Sequence, residues 1–541
     1  MKMNAASIKN QKAEWEALGV KLPAFDHEAM TAKTKEHPVW VHFGAGNIFR
    51  GFIAGLQQRL LNAGLADSGI VAAETFDYDI IDKIYVPHDS MTLMVSLKAD
   101  GSTQKEVIAS IAKGIKANCA DEAQWQQLTD VFTAPSLQMA SFTITEKGYA
   151  LRNMKGELMP VVVSDMENGP KQAHHAMAVA AAMLYARYQA GAMPIAMVSM
   201  DNCSHNGDQL YAAIHSFAEQ WTKNNLVRDG FLRYIENPSL VSFPLTMIDK
   251  ITPRPDPKVE QLLLKDEIDG LSPVITQKNT YVAPFVNAEE CQYLIIEDLF
   301  PNGKLPLDEA GIIYTNRETV NKVEKMKVCT CLNPLHTALA IFGCLLGYTL
   351  ISEEMKNPLL KKLVETIGWK EGMPVVINPG ILRPEDFLTE VLTVRIPNPF
   401  MPDTPQRIAT DTSQKLPIRF GETIKAYQAS DTLDLADLKM IPLVFAGWLR
   451  YLMGIDDNGA AFERSSDPLL DDLTPYLTQF TLGVVPSTED TDNILSPILH
   501  KKEIWGVDLY TCGLSDPVIS DFREMLAGPG AVENTLKHYV N

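Results

Sequence analysis

Short apolar runs alternate with helix-like stretches over the first half of the chain. The runs are VWVHF (39–43), GIVAAE (69–74), TLMVSL (92–97), QMASFTIT (138–145) and PIAMVSM (194–200). A long stretch with helical character, about residues 169–190, lies between the last two. Apolar strands separated by helices are typical of a mostly parallel sheet that carries helices on both faces. The pattern therefore predicts a doubly wound α/β domain over residues 39–305.

The pattern changes after Leu305, where strand-like runs become scarce. Helical periodicity dominates instead, over residues 316–333, 335–353, 357–367, 435–454 and 514–539. We predict a mainly α-helical C-terminal domain over residues 306–541. Residues 1–38 are polar and rich in helix formers, so we interpret them as an N-terminal extension that leads into the first domain.

Composition narrows the class of protein. The chain has 541 residues, which suits two domains because one core rarely grows beyond about 250–300 residues. The formal net charge of -19 argues against a general affinity for nucleic acid or anionic membranes, which require a basic surface. The seven scattered cysteines indicate reduced thiols, and no apolar run reaches the roughly 18 residues of a membrane span. We expect a cytoplasmic protein that acts on a small molecule.

A glycine turn follows the first apolar run. Gly44 and Gly46 stand between a predicted strand and a predicted helix, where the backbone can approach a pyrophosphate at the helix N-terminus. The third glycine of the usual dinucleotide fingerprint is displaced, because Phe49 occupies its position and the next glycine is Gly51. The turn therefore indicates either a Rossmann-like dinucleotide site or an ordinary tight turn.

The end of the second predicted strand favours the dinucleotide site. Glu74 stands where a carboxylate can accept hydrogen bonds from the ribose hydroxyls of NAD, and Asp77 is the rival candidate. A carboxylate there would repel the extra phosphate of NADP, so we predict NAD as the cofactor. The alternative is a solvated acidic residue at a strand end.

A cluster of chemically useful residues lies between Glu324 and His336. Glu324 and Lys327 are three residues apart, as are Asn333 and His336, so each pair shares a helix face. Oxidising a secondary alcohol requires a base for the hydroxyl proton and donors for the developing alkoxide, and a desolvated lysine can be that base. Asn202, two residues after the strand 194–200, could be another donor. Taken alone, the cluster fits equally an amphipathic helix with a core histidine, and Asn202 fits a turn cap.

Several stretches together resemble the polyol-specific long-chain dehydrogenases, a family that includes mannitol 2-dehydrogenase, fructuronate reductase and tagaturonate reductase. They follow one another along nearly the whole chain: HFGAGNIFRGF (42–52), SFTITEKGY (141–149), MVSMDN (197–202), MIDKITP (247–253), EKMK with LNPLHTALA (324–340), RIATDTSQKLPIR (407–419), and WGVDL with GAVENTL near the C-terminus.

The resemblance implies a metal-free mechanism with Lys327 as base, Asn202 and Asn333 as alkoxide donors and His336 as the residue that positions the substrate. The family pattern has four residues between the lysine and the asparagine, whereas this chain has five. We therefore expect a helical bulge between them, since one extra residue turns a helix by about 100°. Lys325 is a rival for the base, and Pro334 marks a place where the helix could be interrupted.

The resemblance also implies ligand contacts. The expected cofactor contacts are Gly44, Gly46, Asn47, Ile48, Phe49, Arg50, Glu74 and Thr145. Arg407 and Lys415 match family positions that contact the substrate, and Arg254 offers a further cation for a carboxylate, or is simply a surface arginine in a proline-rich turn.

We therefore expect an NAD-dependent interconversion of fructuronate and mannonate. The alternatives are tagaturonate reductase and mannitol 2-dehydrogenase activity, or, in a different class, a non-catalytic NAD-binding sensor. A zinc centre at Cys329, Cys331 and His336 is disfavoured because one C-x-C pair without a second pair lacks the usual ligand spacing.

Overall fold

The computed structural model describes residues 1–153 and 155–540. These residues divide into two compact units, residues 1–98 with 102–320 (unit 1) and residues 321–540 with 99–101 (unit 2). The predicted domain boundary after Leu305 precedes the observed division after Val320, because the last strand of unit 1, Ile313–Thr315, lies beyond Leu305.

The strands of the described residues all belong to unit 1. They are β1 (Val20–Lys21), β2 (Trp40–Phe43), β3 (Ile70–Glu74), β4 (Thr92–Leu97), β5 (Thr103–Ile108), β6 (Ile111–Lys116), β7 (Met139–Phe142), β8 (Ile195–Ser199), β9 (Val241–Ser242), β10 (Thr246–Asp249), β11 (Val274–Ile275), β12 (Tyr281–Val282), β13 (Phe285–Glu289), β14 (Tyr293–Glu297) and β15 (Ile313–Thr315).

The α-helices run through both units. Unit 1 contains α1 (Ala5–Asn10), α2 (Lys12–Ala17), α3 (His27–Glu36), α4 (Ala54–Asn62), α5 (Glu122–Thr133), α6 (Glu146–Tyr149), α7 (Pro160–Asn168), α8 (Ala176–Gln189), α9 (Asn206–Lys223), α10 (Phe231–Glu236) and α11 (Pro257–Lys265), and α12 (Arg317–Met326) crosses the division. Unit 2 contains α13 (Asn333–Leu345), α14 (Ile351–Glu354), α15 (Pro358–Thr366), α16 (Pro384–Glu390), α17 (Pro405–Ile408), α18 (Thr412–Leu416), α19 (Glu422–Gln428), α20 (Met440–Tyr451), α21 (Leu470–Leu477), α22 (Thr488–Leu499), α23 (Lys502–Trp505), α24 (Ser515–Met525) and α25 (Ala531–Val540).

The main sheet of unit 1 is parallel throughout and has the order β6-β3-β2-β7-β8-β9. Alternate residues of its central strands belong to separate apolar clusters. Val41 and Phe43 pack with α5, α8 and α9, whereas Trp40 packs with α4. This arrangement confirms the predicted doubly wound α/β fold. The strand order reverses between β2 and β7, and ligands of such sheets bind at this point, beyond the carboxyl ends of the strands.

Two expectations about unit 1 are wrong in detail. The run 92–97 is not a strand of the parallel sheet, because β4 pairs antiparallel with β5 in a separate sheet of order β1-β5-β4-β13. Residues 1–38 are not a mere extension either. Their strand β1 pairs with β5, and Trp15 is completely buried, so they are part of unit 1.

The continuous helical run Arg317–Leu345 is apolar enough to cross a membrane by length and composition alone. No apolar run of that length was expected from the sequence. However, 78% of its apolar window is buried inside the protein, which is typical of a core helix rather than a membrane span.

Candidate functional site

The glycine turn closes tightly on the neighbouring strand. Gly44 has φ of +100°, and a Cβ atom there would lie 2.2 Å from the Thr143 carbonyl oxygen, just beyond β7. A Cβ atom on Gly46 would meet no protein atom within 4 Å. The first glycine therefore allows the turn to form, and the second leaves open space at the start of the following helix. This is the division of roles that a dinucleotide-binding turn requires.

The displaced third glycine has a packing role. A Cβ atom on Gly51 would lie 2.8 Å from Val286 Cγ1 in β13, so the helix approaches this strand closely. Gly51 lies in a π-helical segment, Phe49–Ile53, which leads into α4. Phe49 is buried and stacks on His42, with 4.1 Å between the ring centroids. The Phe49 ring is therefore a core group, and the predicted cofactor contact of this residue would involve its backbone. Ile48 is likewise packed against the core.

Arg50 supports the turn from inside. Its guanidinium is completely buried and donates to the Ala283 carbonyl at 2.8 Å, to Thr92 Oγ1 and to Asn47 Oδ1 at 2.9 Å. Burial lowers the pKa of Arg50 to about 10. These three bonds engage the side chain with the protein, and one of them orients Asn47.

Glu74 also holds the turn. Its Oε2 accepts from the Ala45 backbone N–H at 2.8 Å, and its Oε1 accepts from the backbone N–H groups of Phe76 and Asp77. Burial raises the pKa of Glu74, and these three N–H groups oppose the shift. The rival Asp77 accepts from Thr276 Oγ1 at 2.6 Å. Both acids therefore have partners within the protein. If Glu74 also binds the ribose, as predicted, its carboxylate must accept those hydrogen bonds in addition to the ones that hold the glycine turn to β3.

A cavity of about 310 Å³ opens beside the glycine turn. Its lining residues come from distant parts of unit 1: Gly46, Asn47, Ile80, Arg254, Asn279, Thr280, Tyr281 and Val282. Asn47 Nδ2 donates to the Pro253 carbonyl at 3.2 Å, which ties the helix start to the segment that carries Arg254. Arg254, predicted to bind the substrate, thus lies where a dinucleotide phosphate at the helix N-terminus would need a cation.

The carboxyl end of β8 is tied to the loop after β7 by Asp201. Its carboxylate accepts from the backbone N–H groups of Ile144 and Thr145, each at 2.9 Å, and from the Tyr149 hydroxyl at 2.6 Å. Thr145 has φ of +66°, a conformation that non-glycine residues keep only when the surroundings impose it. Sequence reasoning missed Asp201 as a supporting residue, although an acid directly after a buried strand was the available signal.

Asn202 follows Asp201 and is exposed. The turn that carries it is fixed by Asn206, which is buried and donates through Nδ2 to the Asp201 carbonyl at 2.9 Å and to Thr246 Oγ1 at 2.8 Å. Asn202 therefore stands at the strand end where parallel sheets bind ligands, as expected for an alkoxide donor.

In unit 2, a π-helical segment accommodates the extra residue between Lys327 and Asn333. Residues Lys327–Cys331 form the π-helical segment, and the Leu332 N–H donates to the Lys327 carbonyl at 3.1 Å, five residues back. The expected bulge is confirmed. π-Bulges occur frequently at functional sites because they re-aim side chains within a helix. Lys327 is 3% exposed, whereas the rival Lys325 is exposed to solvent.

Asn333 begins α13, and Pro334 occupies its first turn, where a missing N–H costs nothing. The interruption expected at Pro334 is therefore the start of a new helix. His336 lies one turn further on, on the same helix face as Asn333. Thr337 Oγ1 donates to the Asn333 carbonyl at 2.9 Å and accepts from Arg419 Nη1 at 2.6 Å. Another π-helical segment, Ile367–Gly372, packs against Thr330, and Gly372 is the residue that makes the contact.

The two predicted substrate cations in unit 2 both have protein partners. Arg407 pairs with Asp403, and two thirds of its side chain is exposed. Lys415 donates to the carbonyls of Ile408 and Thr410. Burial and the charges of Arg419 and Arg407 lower the pKa of Lys415 to about 8, although Asp411 and Asp467 oppose the shift.

The two cysteines near Lys327 are largely shielded from water. Burial raises the pKa of Cys329 to about 11 and that of Cys331 to about 12. Among residues 1–153 and 155–540, no group of three His, Cys, Asp or Glu side chains is arranged to hold a metal ion.

Comparison with known proteins decides the family. The family model for the mannitol dehydrogenase Rossmann domain matches residues 39–309, and the family model for the mannitol dehydrogenase C-terminal domain matches residues 319–515. The chain belongs to the mannitol dehydrogenase family. Its two units correspond to the two domains of that family, and the expected resemblance to the polyol-specific long-chain dehydrogenases is confirmed.

Relatives within the family cover the whole chain. The chain is 50% identical to D-mannonate oxidoreductase of Thermotoga maritima over 542 aligned positions, which is 100% of this chain and 99% of the relative. It is 30% identical to mannitol 2-dehydrogenase of Pyrenophora tritici-repentis, over 80% of this chain and 72% of the relative. Among solved structures, the Pseudomonas fluorescens mannitol 2-dehydrogenase in ternary complex with NAD and D-mannitol matches with a TM-score of 0.70 and 25% identity, over 100% and 99% of the two chains.

Proposed function

We propose that this protein is an NAD-dependent oxidoreductase that interconverts D-fructuronate and D-mannonate in the cytoplasm, without a metal. The observation that carries the proposal is the 50% identity, along the entire chain, to a D-mannonate oxidoreductase. The glycine turn supports the choice of cofactor, since Gly46 leaves space beside a helix N-terminus and Arg254 lines the same cavity.

The roles of the residues follow from their chemistry. Lys327 takes the proton from the hydroxyl group that is oxidised, and the amides of Asn333 and Asn202 donate hydrogen bonds to the oxygen as negative charge develops on it. His336 orients the substrate from the same helix face as Asn333. Arg407 and Lys415 contribute cations to the substrate site. NAD, when bound, accepts the hydride from the carbinol carbon, and the reverse steps reduce the keto acid.

The substrate is tested by following NADH oxidation with fructuronate, tagaturonate and fructose side by side. We expect kcat/KM for fructuronate to exceed that for fructose by about 10- to 100-fold. This is the gain in transition-state binding expected when a substrate carboxylate is hydrogen-bonded to a buried cation. A preference for fructose would assign the protein to the mannitol 2-dehydrogenase activity, and a preference for tagaturonate to the other uronate. NADH binding without turnover of any of the three would indicate the non-catalytic sensor.

Arg254 gives a separate test of the cofactor site. Replacing Arg254 with glutamine should raise the Kd for NADH about tenfold, because a charge-assisted phosphate contact is lost, while KM for the keto acid stays the same. Lys304→Gln is the matched control, since Lys304 is a cation of the same unit that pairs with Asp298. A rise in the keto-acid KM with unchanged NADH affinity would return Arg254 to the substrate site predicted from the sequence.

A further inference from the structure

Arg419 is hydrogen-bonded to the helix that carries Asn333 and His336, two of the residues proposed to act on the substrate. It lies in the π-helical segment Pro417–Gly421, and its Nη1 donates to Thr337 Oγ1 at 2.6 Å. Thr337 is 2% exposed and donates in turn to the Asn333 carbonyl. Asn333, His336 and Thr337 occupy positions i, i+3 and i+4 of one helix, so they share a face. The guanidinium is therefore held beside the face of α13 that carries Asn333 and His336.

The hydrogen-bonding capacity of Arg419 is mostly unused by the protein. A guanidinium has five N–H donors, and Arg187 of unit 1 shows how a structural arginine uses them, since it donates to five backbone carbonyls. Arg419 makes its single protein hydrogen bond to a neutral hydroxyl, and no ion pair joins it to a carboxylate in residues 1–153 and 155–540. Burial lowers the pKa of Arg419 to about 10, and no neighbouring carboxylate opposes this shift.

A second cation lies near Arg419. Lys415 lies in α18, which runs directly into the π-helical segment of Arg419, so the two residues are four apart on one helical stretch, and the Lys415 ammonium is held by the carbonyls of Ile408 and Thr410. These two carbonyls anchor Lys415 without neutralising it, while the nearby acids Asp411 and Asp467 form no ion pair with it, and Asp467 accepts from Ser413 instead. Two positive charges held near each other on one short stretch of chain form a site for an anion, and a planar carboxylate matches the fork of a guanidinium.

We propose that Arg419 recognises the carboxylate of the substrate, with Lys415 as the neighbouring cation, and so determines the specificity for a sugar acid over a neutral sugar. The inference rests on the proposed function and names the group that selects its substrate class. The other two candidate cations fit this role less well. Arg407 is mostly exposed and already paired with Asp403, and Arg254 is exposed and lines the cavity beside the glycine turn. A hexulose would leave the guanidinium unpaired, which a partly desolvated site penalises.

The test compares substrates in Arg419→Met and Arg419→Lys variants of the full chain. In Arg419→Met, kcat/KM for fructuronate should fall about 10- to 100-fold, mainly through KM, while kcat/KM for fructose changes less than about threefold. Arg419→Lys should lie between wild type and Arg419→Met, because an ammonium keeps the charge but loses the bidentate geometry. Arg523→Met is the matched control, since Arg523 is a half-buried arginine of unit 2 that donates to the Pro486 carbonyl.

The outcomes distinguish a failure of the proposed function from a failure of the role proposed for Arg419. If the wild-type protein reduces fructose and ignores the uronates, the proposed function fails before any variant is made. If wild type prefers a uronate and Arg419→Met loses activity equally with both substrates, Arg419 only supports α13 and the inference is overturned. Should Arg419→Met not fold, Arg419→Lys and Thr337→Val answer the same question, since each weakens the guanidinium site without removing bulk. Unchanged uronate preference in both folded variants would also overturn it.

Discussion

Replacing Lys327 with alanine is expected to lower kcat by about 10²- to 10⁴-fold, the range that a positioned general base contributes. NADH affinity should stay within about twofold of wild type, because Lys327 is not among the residues that line the cavity beside the glycine turn. Single-turnover kinetics and NADH fluorescence titration measure the two quantities separately.

The matched control is Lys325→Ala. Lys325 is a cation only two residues away, but it is exposed at the end of α12, whereas Lys327 is buried at the start of the π-helical segment. We expect Lys325→Ala to turn over at the wild-type rate. If the two variants exchanged their effects, the base would be Lys325, and if neither lost activity, the base would lie outside this stretch.

Gly44→Ala is expected to have the largest effect on the cofactor site. The added Cβ atom would lie 2.2 Å from the Thr143 carbonyl oxygen, and alanine is strained at a φ of +100°. Relieving both requires the turn to move away from β7. We expect the free energy of unfolding to fall by about 1–3 kcal/mol, as for other strained backbone positions, together with a loss of measurable NADH binding. Chemical denaturation and NADH titration test this.

Gly46→Ala separates an effect on stability from an effect on cofactor binding. Because a Cβ atom there meets no protein atom within 4 Å, the variant should unfold at the same denaturant concentration as wild type. Its affinity for NADH should nevertheless fall at least about tenfold, since the methyl group enters space reserved for the pyrophosphate. Wild-type affinity in Gly46→Ala would show that the cofactor does not bind at this turn.

The elements that sequence reasoning placed correctly are those with a strong local signal. The cores of the runs 39–43, 69–74, 138–145 and 194–200 are the parallel strands β2, β3, β7 and β8, because a strand buried on both faces must be apolar along its length. TLMVSL has the same composition, yet β4 belongs to another sheet. Local composition indicates that a strand is buried, but its pairing partner is a property of distant segments such as β5 and β13.

The candidate site shows the same limit. Five residues separate Lys327 and Asn333, one more than in the family pattern, which predicted a helical bulge, and the π-helical segment confirms this. The side-chain roles of Phe49, Arg50 and Glu74 could not be predicted, since each depends on whether a group faces the core or the cavity. Gly51 likewise acquires its packing role only from the approach of Val286.

The sequence by itself determined the doubly wound fold of the first unit, the glycine turn, the helical second unit and the order of motifs that indicates the mannitol dehydrogenase family. These features depend on the period of apolar positions and on residues close together in the chain. Only the tertiary structure decided which distant residues meet. Asn47 bonds to Pro253, 206 residues away, and Arg254 next to it lines the cavity beside the glycine turn. Arg419 bonds to Thr337 across 82 residues, which makes it the new candidate for the carboxylate. Such contacts arise from the packing of whole elements, and no local pattern encodes them.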